Sequence, residues 1–442
     1  MTRILFSLLA LVAIAAPAAA QELAPVEVPF TSTMGFGARA LGMGAAHTAV
    51  VEDLSAIYYN PAGLAQIRRI EVGGTLAFDR RDQSVDLSGT VSDVDLRNTH
   101  LNSVGFAYPF PTYRGSLVIG GAYNRRVNLN SDFLRQGTLP PYDSNERESI
   151  LEEGSLNSWT AAAALDVSPN ISIGGAVSYL SGSTDRRDEF IYADPRYDLD
   201  SVVETGADIS GWTGSFGSLV RLGPVARLGF QVQFPQTIDI DGVEFVSEEF
   251  TDREDPESDF SDEFEVAFTD DIDLPFSFAG GIAFTPKNFV LAADVRFTDW
   301  TQIRYAGPVR VEYEQADESG ETTLVREDAY RAATEIHLGA EYVLPVYPVR
   351  FRAGFFTEPV AYNLVLTDVF GGVNRVADYD PDRRFFTLGM GALFEDVLTV
   401  DVAYVTGKYE RSAVEVVPGG PDITVTEKQD LHRVYLTTAF RF

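Results

Sequence analysis

From residue 69 to the C-terminus, apolar positions alternate with polar or small ones at a period of two, in runs of about ten residues, the length of a membrane-spanning strand. In the first run Ile70, Val72, Gly74, Leu76 and Phe78 share one side, and Glu71, Gly73, Thr75 and Asp79 the other. The second sets Val104, Phe106, Tyr108 and Phe110 over Gly105 and Ala107, and the third carries Leu117, Ile119, Gly121 and Tyr123. A soluble sandwich would turn the apolar side inward. A membrane barrel turns it out to lipid and keeps small or polar residues in the lumen.

The links between runs decide between the two. Tight turns such as Pro111-Thr112-Tyr113-Arg114, Ser168-Pro169-Asn170, Gly223-Pro224, Thr285-Pro286-Lys287-Asn288 and Glu395-Asp396 alternate with long polar stretches. The long ones cover residues 125–158, 181–210, 235–273, 299–329, 358–383 and 407–430 and read as loops. The pattern predicts an all-β chain: a 14-stranded antiparallel transmembrane β-barrel over residues 69–442, with short periplasmic turns and long external loops. Trp159, Trp212 and Trp300 fall at the long-loop ends as an outer aromatic girdle. Tyr108, Phe110, Phe284, Phe289, Tyr342 and Phe394 form an inner one. The chain closes on an alternating strand ending in Phe440 and Phe442, which resembles the signal read by the barrel-assembly machinery.

The N-terminus sets the compartment. Arg3, an apolar run from Ile4 to Ala16 and Ala18-Ala19-Ala20 read as a cleaved signal peptide over residues 1–20, so the chain is exported. No later stretch has the length of a membrane helix, which leaves a closed barrel as the way to sit in a bilayer. Residues 21–68 do not alternate and are too short for a core of their own. Their glycines, Gly35, Gly37, Gly42 and Gly44, suit a backbone folded tightly in a narrow space. Gly35-x-Gly37-x-x-Ala40 lacks the preceding strand that a dinucleotide site requires. Asn60 followed by Pro61 predicts an N-cap and first helical residue, and Asp53 a cap on the turn before.

Charge and composition narrow the chemistry. Against 34 Lys+Arg stand 65 Asp+Glu, a net charge of −31, which excludes a nucleic-acid partner. The chain has no cysteine, hence no disulfide, thiolate metal site or thiol nucleophile. His47, His100, His337 and His432 are not at paired ligand spacing, and no G-x-S-x-G occurs. The sequence therefore nominates no catalytic residue and no cofactor. Asp378, Asp380 and Asp382, and Asp239-x-Asp241-Gly242, could offer carboxylates to Ca²⁺, but neither run completes a twelve-residue calcium loop; both read as solvated loop charge.

The runs G-A-R-A-L-G-M-G-A-A-H-T-A-V from Gly37 and D-L-S-A-I-Y-Y-N-P-A-G-L from Asp53 resemble the N-terminal hatch of the FadL/TodX family, outer-membrane transporters of long-chain fatty acids and aromatic hydrocarbons. Asn60-Pro61-Ala62, followed by Gly63, matches the family's NPA motif. The resemblance implies a monomer in the outer membrane, plugged by residues 21–68, whose partners are hydrophobic small molecules or lipids. It also implies lateral exit where the third strand kinks, a place marked here by Gly120 and Gly121. Two readings compete: a PorV-type barrel serving protein secretion, and a general porin. The porin needs an open charged lumen, whereas inward positions here are often Gly, Ala, Ser or Thr.

Overall fold

The computed structural model describes residues 35–139, 144–305, 307–308, 310–316, 322–328, 330–361, 365–367, 373–379, 382–415 and 423–442. The signal peptide, Asp380 and the side chains of Asp378 and Asp382 lie outside the described residues. Fourteen strands make the wall: β1 (Glu71–Leu87), β2 (Thr90–Phe110), β3 (Leu117–Asn128), β4 (Ser144–Ser168), β5 (Ile171–Ala193), β6 (Tyr197–Leu222) and β7 (Ala226–Gln233). They continue with β8 (Ser277–Phe284), β9 (Phe289–Asp299), β10 (Ala332–Val343), β11 (Val349–Pro359), β12 (Asp382–Phe394), β13 (Leu398–Glu415) and β14 (Ile423–Arg441). Each pairs antiparallel with the next, and β14 returns to β1 from Glu71↔Arg441 to Leu87↔Val425. Closure leaves no open edge for a bilayer to tolerate.

The faces are inverted relative to a soluble protein. Val72, Leu76, Phe78, Val104, Phe106, Val177 and Phe216 are exposed, while the intervening Ala77, Ala107, Ala162, Ala164 and Ala176 are buried. Large side chains thus meet lipid and small ones line the wall's inner face. The described helices are short, and none is long and apolar enough to cross a membrane. Trp159 and Trp212 are outward and pack on Tyr123 and Tyr179, each at 5.0 Å between rings. Trp300 departs from the expected girdle. It opens a 3-10 turn after β9 and packs against a buried apolar cluster in the outer half of the protein.

The stretches read as loops are largely sheet. β5 and β6 stay paired from Ile171↔Val220 out to Ala193↔Asp198, and residues 236–252 and 260–274 form a hairpin whose first strand pairs beside the outer half of β6. Ser131–Leu139 pairs with the outer part of β4. These ribbons carry little hydrophobic periodicity, so their strand character was hidden. Ion pairs between neighbouring strands, among them Arg147 with Glu189 at 2.8 Å and Arg187 with Glu204, accompany the backbone ladder instead.

Gly120 and Gly121 keep a regular ladder on both sides. They pair in register with Ala107 and Phe106 on β2 and with Ala162 and Ala161 on β4. The irregularities lie further out: Asn102 is passed over between β1 and β2, and Arg126 between β3 and β4. Pairing of β2 with β3 runs only from Phe110↔Leu117 to Ser103↔Asn124. Beyond that point β2 keeps β1 as its backbone partner and β3 keeps β4, so the β2–β3 ladder stops there, and the Asn98 amide donates to the Asn128 side-chain oxygen across the interval at 3.2 Å.

Candidate functional site

Residues 35–67 are almost wholly buried against the inner wall. They comprise α1 (Ala38–Gly42), α2 (Ala56–Tyr59) and a 3-10 helix, Pro61–Gln66. Helices this short have little intrinsic stability and depend on what they pack against. Asn60 has the predicted capping role: its side-chain oxygen accepts from the Ala62 N–H at 3.1 Å, and Pro61 takes the first helical position. Its amide nitrogen also donates to the Thr48 carbonyl at 2.8 Å and to the Ser218 carbonyl on β6 at 3.0 Å. Asp53 does close a local turn, accepting from the Ser55 N–H at 3.0 Å, but it also pairs with Arg39.

Wall glycines make the fit possible. A Cβ on Gly174 would stand 2.5 Å from the Pro61 carbonyl carbon, and one on Gly217 would collide with the Asn60 oxygen. Gly229 faces the Thr48 carbonyl, Gly339 the Met43 carbonyl and Gly354 the Gly44 nitrogen. These glycines in β5, β6, β7, β10 and β11 let one backbone lie directly on another. On the segment's own side, Gly42 approaches Gly389 of β12, and Gly35, Gly37 and Gly44 take positive φ of 68°, 82° and 61°. Gly63 packs on Val51.

Charge fastens the same contact. Arg39 in α1 bonds Glu52 at 3.0 Å and Glu341 of β10 at 3.3 Å, and Glu341 also accepts from Arg352 at 2.7 Å. Arg352 continues to Asp401 of β13 at 2.6 Å. A buried pair is weakly stabilising in net terms, because desolvation offsets attraction, but removing one partner strands the other. Burial opposes the charge on Arg39, yet Glu341, Glu52 and Asp53 hold its pKa well above the ordinary value. Burial also raises Asp53, and His47, Arg39 and the Ser55 hydrogen bonds more than offset it, leaving the carboxyl well below its usual range. His47 is different. Burial pushes it down to about 4, and neither ring nitrogen has a hydrogen bond; the Asp53 carboxylate stands 3.9 Å away.

Between this segment and β1–β3 lies a narrow crevice, with about 70 Å³ of enclosed space. Phe36, Leu54, Ile57 and Tyr58 line it from the segment, and Gly73, Gly74, Val104, Gly105 and Ala122 from the wall. Ser103 and Asn124, the last pair of the β2–β3 ladder, also line it, so the apolar end of the crevice adjoins the place where that ladder stops. The other end is charged, with Glu71, Arg350, Asp401 and Arg441. The apolar part of this lining suits a hydrophobic small molecule, and the charged part offers groups that would orient one.

The sequence pointed to Asn60, Pro61, Ala62 and Gly63 and missed their wall partners. Glu341, Arg352, Asp401 and Asp294, which accepts from the Thr48 N–H at 2.7 Å, escaped notice. The signal was there: each is ionisable and falls in the inward phase of a membrane strand, where a charge needs a partner. Among the described residues no group of His, Asp and Glu has a metal-holding arrangement.

No curated protein matches this sequence. Solved structures do match in fold. The P. putida toluene transporter TodX superposes with a TM-score of 0.65 at 13% identity, covering 93% of this chain and 99% of that one. A Pseudomonas aeruginosa FadL homologue gives 0.64 at 15% identity, covering 95% and 100%. The Ralstonia pickettii toluene transporter TbuX gives 0.55 at 16%, covering 92% and 99%. The model of the outer membrane protein transport protein family (OMPP1/FadL/TodX) matches residues 9–431. With that match spanning nearly the whole sequence, over a closed fourteen-stranded barrel, the chain belongs to the OMPP1/FadL/TodX family of outer-membrane transport proteins.

Proposed function

We propose that the chain carries hydrophobic compounds, of the long-chain fatty acid or aromatic hydrocarbon class, passively across the outer membrane, with residues 21–68 as its plug. The observation that carries this reading is the crevice between segment and wall, whose apolar end adjoins the end of the β2–β3 backbone ladder. A solute seated there has lipid on the far side of a wall that lacks its backbone ladder, so it can leave sideways without entering water. Asn60, Pro61, Ala62 and Gly63 hold the plug on the β5–β6 glycines in this scheme. Arg126, the residue passed over in β3, replaces Gly120 and Gly121 as the mark of the exit. Phe440 and Phe442 serve assembly, and Phe442 reaches back to donate its N–H to the Ile70 carbonyl at 2.9 Å.

The test is uptake of labelled toluene and oleate by cells lacking other routes, with and without the chain at measured surface levels. Uptake of either above background supports the reading. Uptake of neither rejects it and favours a barrel that serves secretion.

A further inference from the structure

Above the N-terminal segment, the inward positions of the wall change character. Leu156 of β4, Leu180 of β5, Ile209 of β6, and Ile238 and Ile272 of the hairpin beside the outer half of β6 are all at most 3% exposed and join one contiguous apolar cluster. Register explains their fit. Leu156 and Ile209 both lie opposite Gly182, and Leu180 and Ile238 both lie opposite Gly211, so each large side chain borders a position with none. Ile303, after the 3-10 turn that follows β9, and Val360, after β11, bring apolar side chains into the same cluster from another part of the wall. The cluster is level with the outer membrane interface, since Gly211 and Ser158, the partners of Leu180, directly precede the outward Trp212 and Trp159.

Lipid does not account for it. At this height the outward positions are Ser181, Asp208, Ser210 and Asp239, so the sheet is polar outside and apolar inside. A fourteen-stranded wall leaves a lumen that water would otherwise enter from this end. We propose that this cluster is a permeability filter: a dry apolar layer that admits uncharged hydrophobic solutes and rejects ions and hydrated ones. Hydrophobic constrictions exclude ions because crossing demands loss of hydration that no polar group replaces. The N-terminal segment plugs the lumen beneath, but its contacts with the wall include charged and polar ones, so this layer is the dry barrier that an ion meets. The inference takes the lumen as the path of transport, as in the reading above, but its readout is ion flow and requires no substrate.

The chain contains no cysteine, so single thiols can report access. In intact cells Ile238→Cys should react with a charged thiosulfonate about tenfold slower than the outward Ser210→Cys, whereas uncharged N-ethylmaleimide should reach both. In planar bilayers the purified full chain carrying Leu180→Ser and Ile238→Ser should conduct ions about tenfold more than wild type. Leu64→Ser, in the cluster where the N-terminal segment packs on the wall, should not. Heat-modifiable migration shows that each variant has folded. Equal reaction of the charged reagent at both positions, or a leak caused by Leu64→Ser and not by the double variant, would overturn the proposal. Loss of toluene uptake with ion tightness intact would instead count against the transport reading.

Discussion

The Asn60 amide nitrogen donates a hydrogen bond to the Ser218 carbonyl of β6 across 3.0 Å, joining residues 158 positions apart in sequence. The same side chain caps Pro61–Gln66 and holds the Thr48 carbonyl. Asn60→Ala removes all three bonds and leaves buried carbonyls without that donor. A lost cap costs about 1 kcal/mol, and each stranded buried group about 1–3 kcal/mol. The wall keeps its own ladder, so the variant should still show folded migration on unheated gels. Hydrogen exchange at residues 56–66 should rise by more than tenfold, and uptake of hydrophobic solute should fall. Unchanged exchange would show that the wall glycines alone hold the segment.

Those glycines can be tested in a contrasting pair. Gly174→Ala places a methyl 2.5–2.6 Å from the backbone of Pro61 and Ala62, closer than real Cβ contacts allow. Gly280, also in a Gly-Gly pair, has nothing within 4 Å of its Cβ direction. Gly174→Ala should therefore displace the 3-10 helix and raise its exchange. Gly280→Ala should be neutral or stabilising by about 0.5 kcal/mol, through lower chain entropy. Equal behaviour of the two would mean that the wall yields to the methyl group.

The fold was legible because a membrane strand writes its two faces into the sequence. Val72 and Leu76 outward against Ala77 inward is a period-two pattern that needs no tertiary context. Asn60-Pro61 was legible for a similar reason, since capping is a local interaction. What escaped detection is long-range or uniformly polar. Gly174 carries no local mark and is a seat for Pro61, which depends on a residue 113 positions away. Beyond Leu180, β5 has only polar residues and one glycine from Ser181 to Glu189, so its alternation had nothing to alternate. The bulge at Arg126 carries no glycine, and its neighbours are ordinary strand residues.

Orientation predicts where proteases cut. The tip of the hairpin between residues 252 and 260 is exposed throughout and contains Glu254 and Glu257. Glu395 is equally exposed, in the tight turn between β12 and β13. An endoproteinase specific for glutamate, added to intact cells, should cut at the hairpin tip and spare Glu395. After the outer membrane is permeabilised it should reach both. Backbone pairing protects the body of the ribbon from Gln236 to Asp252, so cleavage should cluster at the tip. Cutting at Glu395 in intact cells would reverse the topology.

His47 makes the N-terminal segment sensitive to acid. Burial holds its pKa at about 4, below the value of about 6.5 expected in an unfolded chain. The displaced segment then binds the proton more readily than the packed one, so packing loses stability as pH falls from about 6.5 towards 4 and gains none above it. Asp53, already held well below the carboxylate range, does not titrate within that window. Between pH 6.5 and 5 the loss amounts to roughly 2 kcal/mol, enough to raise the opening of residues 45–60 more than tenfold. Hydrogen exchange, corrected for the intrinsic rate at each pH, measures it. His47→Leu, which fills the same buried space without a titrating ring, should remove the pH dependence. If wild type and His47→Leu loosen equally at pH 5, the acid sensitivity belongs to another group, and the unpaired imidazole serves only to fill the space beside Tyr59, 5.4 Å away between ring centres.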